Sequence, residues 1–161
     1  MSRASVSRAS QLGLALVSPN GEDALIDLVW MKDKLVVHGT ARIGNDHYRT
    51  EIMVGGHALI GDEGPGLGGK NLGPAPYDFL LAGLGACTAI TLRMYADRKQ
   101  WPLASVEVGL RLHNRDGLRI DRVLTITGLD DEQMARLADI AERTPVTLTL
   151  KGGLPIDTRL A

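Results

Sequence analysis

The chain has 161 residues, which suits one domain with a sizeable hydrophobic core. Its 44% hydrophobic and 23% charged residues are typical of a globular protein and exclude an intrinsically disordered one. The 18 basic and 19 acidic side chains leave a net charge of −1, which argues against nucleic acid and anionic membrane surfaces as partners. The single cysteine excludes an internal disulfide framework, and we expect a protein of the reducing cytoplasm.

The N-terminal segment carries few signals of regular structure. Residues 1–11 are rich in Ser, Arg and Ala and are predicted to form a mobile tail. No apolar region of signal-peptide type follows, and no apolar run reaches the roughly 18 residues needed to span a bilayer. Residues 25–31 are predicted as a strand. We therefore divide the chain into an N-terminal extension, residues 1–30, and one folded domain, residues 31–161.

Alternating apolar residues predict two groups of strands, one on each side of a central helix. The first group is an antiparallel meander with a turn at Gly44, Asn45 and Asp46. The second group is a hairpin whose turn ends at Gly117. The predicted strands are residues 34–42, 46–54, 57–60, 106–113 and 118–127.

A second helix is predicted after the second hairpin. Asp130 is its expected cap, and Gln133, three residues later, completes a capping box. Pro145 is expected to end this helix, and residues 146–150 and 156–160 are predicted as closing strands. The order βββ-α-ββ-α-β groups strands together, which is typical of the α+β class with antiparallel sheets.

The central helix, residues 76–100, contains the only cysteine, Cys87. No charged residue lies between Phe79 and Leu92, and a helix that is apolar on every side is normally buried. Gly83 and Gly85 cost about 1 kcal/mol each relative to alanine, which indicates close backbone contacts in return. The chain's own sheet is expected to cover one side of this helix, and a second copy of the chain the other, as in a homodimer.

Cys87 has two interpretations at this point. Buried cysteines are common as inert packing residues, and residue type alone favours that interpretation. A reactive thiol needs an electropositive setting, and no basic residue lies within one helical turn of Cys87. An activating cation would therefore have to come from another segment or from another subunit.

Two other patterns predict no site. Gly64, Gly69 and Lys70 match the spacing of a phosphate-binding loop, but Asn71 stands where that motif needs a magnesium-binding serine or threonine. The four histidines show no metal-binding spacing. We expect a plain loop at residues 61–76, no metal and no cofactor.

The loop and helix around Cys87 carry a specific motif. A glycine-rich loop leads through Gly73-Pro74 to Pro76-Tyr77-Asp78, and Leu84-Gly85-Ala86-Cys87-Thr88 follows inside the helix. This order resembles the OsmC/Ohr family of osmotically inducible and organic hydroperoxide resistance proteins, and the likeness extends from about residue 34 to the C-terminus. The resemblance implies an OsmC-like α+β fold. Antiparallel sheets would surround the cysteine-bearing helix and a second long helix, in an intertwined homodimer with two active sites at the subunit interface.

The resemblance also implies a chemistry for Cys87. In peroxidase members the matching thiolate attacks a peroxide and becomes a sulfenic acid, and a second cysteine then resolves it as a disulfide that dithiols reduce. Here Thr144 stands in the place of the second cysteine, so an external thiol or dithiol would have to act instead. The family's activating arginine comes from the N-terminal strands, where Arg42 and Arg49 are the candidates. In the hydroperoxide resistance branch of the family, a glutamate helps orient this arginine. Tyr77 stands at the matching position here, and the neighbouring Asp78 is the candidate that orients the arginine.

Two functional hypotheses remain open. The first is a one-cysteine thiol peroxidase that reduces organic hydroperoxides or hydrogen peroxide, with Cys87, one of the two arginines and Asp78 as site residues. The second is a non-peroxidatic family member that binds a small ligand at the dimer interface, with Cys87 as packing. The second hypothesis is favoured by the missing second cysteine and by Tyr77 in place of the family's glutamate. The first hypothesis is favoured by the intact motif around Cys87.

Overall fold

The computed structural model describes residues 37–160, which form two antiparallel sheets and three α-helices. The predicted α+β class and antiparallel pairing are confirmed. The predictions for residues 1–11, 25–31 and 34–36, and the extension 1–30 as a separate segment, lie outside the described residues. The elements in chain order are β1 (Gly39–Ile43), β2 (Thr50–Val54), β3 (His57–Gly61), a 3-10 turn (Pro65–Leu67), α1 (Pro76–Arg98), β4 (Ser105–Asn114), β5 (Leu118–Thr127), α2 (Asp131–Ala141) and α3 (Pro145–Gly152).

The first sheet has the predicted order β1-β2-β3, and the second sheet pairs β4 with β5. The turn between β2 and β3 consists of Gly55 and Gly56, which have φ angles of 56° and 83°. Two-residue hairpin turns of this kind need a positive φ at both positions, which glycine adopts without strain. In the second sheet Leu110 lies opposite Arg122 and Leu112 opposite Ile120, and this register fixes which side chains face α1.

Asp62 holds together the loop that leads from β3 to α1. Its buried carboxylate accepts the backbone N–H groups of four residues, at 2.8–3.1 Å: Tyr48, Glu63, Lys70 and Leu72. The hydrogen bond from Leu72, followed by those from Glu63, Tyr48 and Lys70, lowers the pKa of this carboxyl, against the opposing effect of burial. At Gly73 a Cβ atom would collide with the backbone carbonyl of Ile60, so the loop passes too close to β3 for a side chain. The predicted loop is thus tightly anchored where it enters the cysteine-bearing helix.

The helix α1 packs against β4, α2 and α3 on one side, while Ala86, Ile90 and Met94 on its other side are exposed. By length and composition it could cross a membrane, which corrects the expectation that no segment is long enough. The apolar stretch is interrupted only by small and hydroxyl residues, and these leave its mean hydropathy high. Its second half is buried in the main core, together with α2, which is consistent with a soluble protein. The buried core residues are Leu92, Tyr95, Ala96, Leu103, Leu137, Ile140 and Ala141.

The predicted capping box of α2 is confirmed. The Gln133 backbone N–H donates to Asp130 Oδ1 at 2.8 Å, and the Asp130 N–H donates to Gln133 Oε1 at 3.2 Å. The helix has 11 residues and ends at Ala141, so it is shorter than the second long helix that the resemblance implies.

The prediction of a strand at residues 146–150 is wrong, because these residues belong to α3. Pro145 occupies the first helical position, where a missing N–H costs nothing, so this proline starts a helix in addition to ending the preceding segment. The Leu148 N–H donates to the Thr144 carbonyl at 3.0 Å and closes the first turn. The closing strand predicted at residues 156–160 is also wrong, since no regular structure forms there. Without a sheet partner among the described residues, alternation alone does not make a strand.

Candidate active site

Cys87 is a free cysteine near the middle of α1, and its side chain is 6% exposed. Three of its helical neighbours are buried as well, since Leu84, Thr88 and Thr91 are 5%, 0% and 5% exposed, whereas Gly83, Ala86 and Ile90 are exposed. The thiol therefore lies inside the protomer, with threonine hydroxyls among its helical neighbours.

A buried arginine, Arg122, reaches the helix position next to Cys87. Its Nη1 donates to Thr88 Oγ1 at 3.2 Å, and its side chain is 10% exposed. Arg122 comes from β5, where it shares the inward face with Ile120, Leu124 and Ile126 because strand side chains alternate between faces. Arg122 is thus a basic side chain that the fold brings to the residue next to Cys87.

Arg122 also connects the helix α1 to Thr144, the residue in the place of the family's second cysteine. The same Nη1 donates to Thr147 Oγ1 at 2.9 Å, and the Thr147 and Thr144 hydroxyls are 2.7 Å apart. Thr144 is fully buried and directly precedes α3. A continuous set of hydrogen bonds therefore runs from Thr88 through Arg122 and Thr147 to Thr144, and we call these four residues the Arg122 network.

One side of the Arg122 network is open to a groove of about 460 Å³. Glu142 accepts from Arg122 Nη2 at 2.9 Å and from Lys151 Nζ at 2.6 Å, and these two hydrogen bonds, that from Lys151 first, lower the pKa of Glu142. With Arg119 also in its wall, the groove has three cationic groups and one anionic group at its polar end. Its apolar wall consists of Leu80, Leu84, Leu112, Leu118, Ile120 and Leu150.

The arginines predicted from the sequence lie on the first sheet. Arg49 Nη1 donates to Glu51 Oε1 at 2.7 Å, and Arg42 lies exposed on β1, opposite Glu51 in the strand register. The Arg49 hydrogen bond, and more weakly the charge of Arg42, lower the pKa of Glu51. The activating role of Arg42 or Arg49 stays a prediction.

Asp78 has a capping role at the start of α1. Its Oδ2 accepts the Ala75 backbone N–H at 2.9 Å, and Tyr77 beside it is exposed. The orienting role of Asp78 likewise stays a prediction. Among residues 37–160, no three His, Cys, Asp or Glu side chains converge as metal ligands would.

Comparison with known proteins identifies the family. The family model for OsmC-like proteins matches residues 68–159, which is more than half of the chain. An OsmC-like protein from Mycoplasma pneumoniae has a TM-score of 0.62 and 23% identity, over 76% of this chain and 90% of that one. An organic hydroperoxide resistance protein from Legionella pneumophila has a TM-score of 0.57 and 22% identity, over 75% and 93%.

The organic hydroperoxide resistance protein OhrB of Bacillus subtilis has a TM-score of 0.52 and 22% identity, over 73% of this chain and 92% of that one. No match was found among curated proteins. At such identities the solved structures show a shared fold, and the family model matches the part of the sequence that contains the Cys87 helix and the Arg122 network. The chain therefore belongs to the family of OsmC-like proteins.

Proposed function

We propose that this protein is a one-cysteine thiol peroxidase that reduces organic hydroperoxides or hydrogen peroxide at Cys87. The observation that carries the proposal is the largely buried guanidinium of Arg122, 3.2 Å from the hydroxyl of the residue next to Cys87. A positive charge near a thiol favours its thiolate, and the thiolate is the nucleophile. Membership of a family that includes organic hydroperoxide resistance proteins supports a peroxide-related role at the family level.

The proposed reaction has two stages. The Cys87 thiolate attacks one peroxide oxygen, an S–O bond forms as the O–O bond breaks, and the alcohol leaves after its oxygen takes up a proton. The sulfur is oxidised to a sulfenic acid and the peroxide is reduced. An external thiol then displaces water from the sulfenic acid to form a mixed disulfide, and a second thiol releases reduced Cys87. Because Cys87 is the only cysteine, no internal disulfide can replace these external steps.

In this proposal the protein is a homodimer, and the second copy completes the site around Cys87. Three large side chains of α1 are exposed in the single protomer: Tyr77 by 56%, Ile90 by 51% and Met94 by 37%. Burying such a surface stabilises an assembly by about 25 cal/mol per Å² of apolar area. In the assembly, Arg42 or Arg49 of either copy is available to Cys87, as the resemblance implies. Analytical ultracentrifugation tests this part of the proposal directly.

The experiment that tests the peroxidase function compares the natural protein with Cys87→Ser. The natural protein should consume peroxide in the presence of a small dithiol, and peroxide alone should add one oxygen atom to Cys87, trapped by a sulfenic-acid reagent. Cys87→Ser should show neither effect. A natural protein whose thiol reacts with peroxide no faster than free cysteine contradicts the proposed function.

The groove beside the Arg122 network favours a second candidate function, which is the binding of a small ligand with Cys87 as packing. Its leucine-rich wall and its excess of cationic groups suit an apolar molecule with an anionic end. In that case Cys87→Ala should change stability without changing any activity. Sulfenic acid formed at Cys87 under mild peroxide treatment would count against this candidate.

A further inference from the structure

Thr91 carries a buried hydroxyl with no hydrogen-bond partner within residues 37–160. The residue is 5% exposed, so water does not replace the missing partner freely. Buried polar groups nearly always have a partner, and an unpaired one costs free energy. Because this unpaired hydroxyl lies on the helix that carries the proposed nucleophile, it is a candidate for a functional role.

The neighbouring threonine, Thr88, shows what is unusual about Thr91. Its hydroxyl donates to the Leu84 carbonyl, four residues earlier, at 2.8 Å and accepts from Arg122. Threonines within helices commonly make this backward bond to the carbonyl four residues before them. For Thr91 that residue is Cys87, and Thr91 does not make the bond. Its hydroxyl proton is therefore available for another acceptor in the same turn.

In the structure the Thr91 hydroxyl makes no hydrogen bond to the Cys87 sulfur, but the position of the sulfur makes it the candidate acceptor after a rotation of the Thr91 side chain. Residues four apart lie on the same face of a helix, and helical side chains lean towards the N-terminus. The Thr91 side chain therefore covers the turn that contains Cys87, and both side chains are at least nine-tenths buried. A rotation about the Thr91 Cα–Cβ bond changes the direction of the hydroxyl without any backbone movement.

We propose that the Thr91 hydroxyl is the hydrogen-bond donor to the Cys87 sulfur in its thiolate form and to the oxygen of the sulfenic acid that follows. The proposal rests on the peroxidase function proposed above. Thr91 keeps its proton throughout: the S–O bond forms at Cys87, the O–O bond of the peroxide breaks, and the leaving oxygen takes its proton from solvent. The hydroxyl favours the charged sulfur because a hydrogen bond to a charged group is stronger than one to a neutral group.

Several charged side chains lie on the elements around this turn, whereas Thr91 is neutral. Arg122 from β5 contacts Thr88, and Lys151 from α3 contacts Glu142, which follows α2. Arg136 from α2 donates to the Tyr95 hydroxyl at 3.2 Å, one turn beyond Thr91. On α1 itself, Arg93 donates to the Leu103 carbonyl at 2.8 Å. All of them stay in place when Thr91 changes, so variants of Thr91 isolate the effect of one neutral dipole.

The test compares Thr91→Val and Thr91→Ala, which lack the hydroxyl, with Thr91→Ser, which keeps it. Thr125→Val, on the exposed face of β5, is the matched control. Two rates are measured from pH 5 to 9: alkylation of Cys87 by iodoacetamide and its oxidation by hydrogen peroxide. Without the hydroxyl we expect the midpoint of alkylation to rise by about one pH unit, and oxidation at pH 7 to slow about tenfold. Thr91→Ser and Thr125→Val should behave like the natural protein.

The outcomes separate this inference from the proposed function. Thr91→Val and Thr91→Ala variants that alkylate with the same pH profile as Thr91→Ser overturn the role of Thr91, whatever the peroxide rates. A natural protein that is inert to peroxide overturns the peroxidase function, while a raised alkylation midpoint in Thr91→Val would still support the hydrogen bond. If Thr91→Val does not fold, the comparison of Thr91→Ala with Thr91→Ser decides the question.

Discussion

Replacing Arg122 by methionine removes three hydrogen bonds that connect β5 with the helices. They end on Thr88 at 3.2 Å, Thr147 at 2.9 Å and Glu142 at 2.9 Å. Methionine keeps much of the apolar length of the side chain, so the change tests the guanidinium rather than the packing volume. The variant should lose both stability and thiol reactivity.

The expected loss of stability is about 2 kcal/mol. Hydrogen bonds between a charged group and a buried hydroxyl contribute about 1.5–3 kcal/mol each, and Arg122 makes two. The contact with Glu142 adds little, because that side chain is 59% exposed and such pairs contribute about 1 kcal/mol at most. Two effects reduce the sum: the guanidinium no longer has to be removed from water, and both threonines keep other partners, the Leu84 carbonyl and Thr144.

The expected loss of reactivity follows from charge. At an effective dielectric constant of about 20, a unit positive charge stabilises an anion by about 4 kcal/mol at a separation of about 4 Å, and by less at greater separations. Glu142 offsets part of the Arg122 charge, and Lys151 in turn offsets Glu142. We therefore expect the midpoint of Cys87 alkylation to rise by about one pH unit in Arg122→Met.

Urea denaturation and iodoacetamide alkylation measure the two effects. Arg111→Met is the matched control, because Arg111 is an exposed arginine on β4 and the substitution is the same. Arg122→Lys should recover most of the alkylation profile, since it restores the charge, but less of the stability, since a single ammonium replaces a planar fork. The reasoning is refuted if Arg122→Met and Arg111→Met unfold at the same urea concentration and alkylate with the same pH profile.

Two further predictions concern the loop and the place of the second cysteine. Asp62→Asn should unfold at lower urea concentration at pH 7, because four backbone N–H groups lose their carboxylate. The pKa of Asp62 is lowered in the folded protein, so its stabilisation is present above about pH 4 and lost as the pH falls further. A stability difference that is equal at pH 7 and pH 3 would contradict this. Thr144→Cys should form a disulfide with Cys87 when peroxide is added, with the double variant Cys87→Ser/Thr144→Cys as the control. If mass spectrometry detects only sulfenic acid in Thr144→Cys, the two positions do not meet.

Much of the fold could be predicted because local signals and tertiary packing agree there. The β2–β3 turn needs two positive φ angles and the chain has Gly55-Gly56; the α2 start needs a cap and the chain has Asp130 with Gln133. Residues 146–150 show where local signals fail, since alternating apolar residues and threonines are typical of a strand. Here Pro145 at the first helical position and the packing of α3 on α1 favour a helix instead.

The candidate site was only half predictable. Cys87 stands out as the single cysteine in an uncharged helix, but Arg122 lies 35 positions later, in a strand. The signal for it was the alternation itself: Ile120, Leu124 and Ile126 share one face, and Arg122 has the same parity. Val123 is apolar but out of phase with this face, and it is 66% exposed. A charged residue in phase with the apolar face of a strand is therefore worth treating as a site candidate.

The Arg122 network includes Thr144, the residue that departs from the family pattern at the place of the second cysteine. Where the resemblance implies a second thiol, the chain has a fully buried threonine, connected to the cysteine-bearing helix by hydrogen bonds to a guanidinium. Removing an arginine side chain from water costs several kcal/mol, and an apolar residue at position 122 would avoid that cost on a face that is otherwise apolar. The hydrogen bonds to Thr88, Thr147 and Glu142 offset that cost, and in the proposed reaction the same guanidinium would also favour the Cys87 thiolate. The same network places hydroxyl groups where the resemblance implies a second thiol, and hydroxyl groups cannot form a disulfide, so the proposed reaction needs a reductant from outside the protomer.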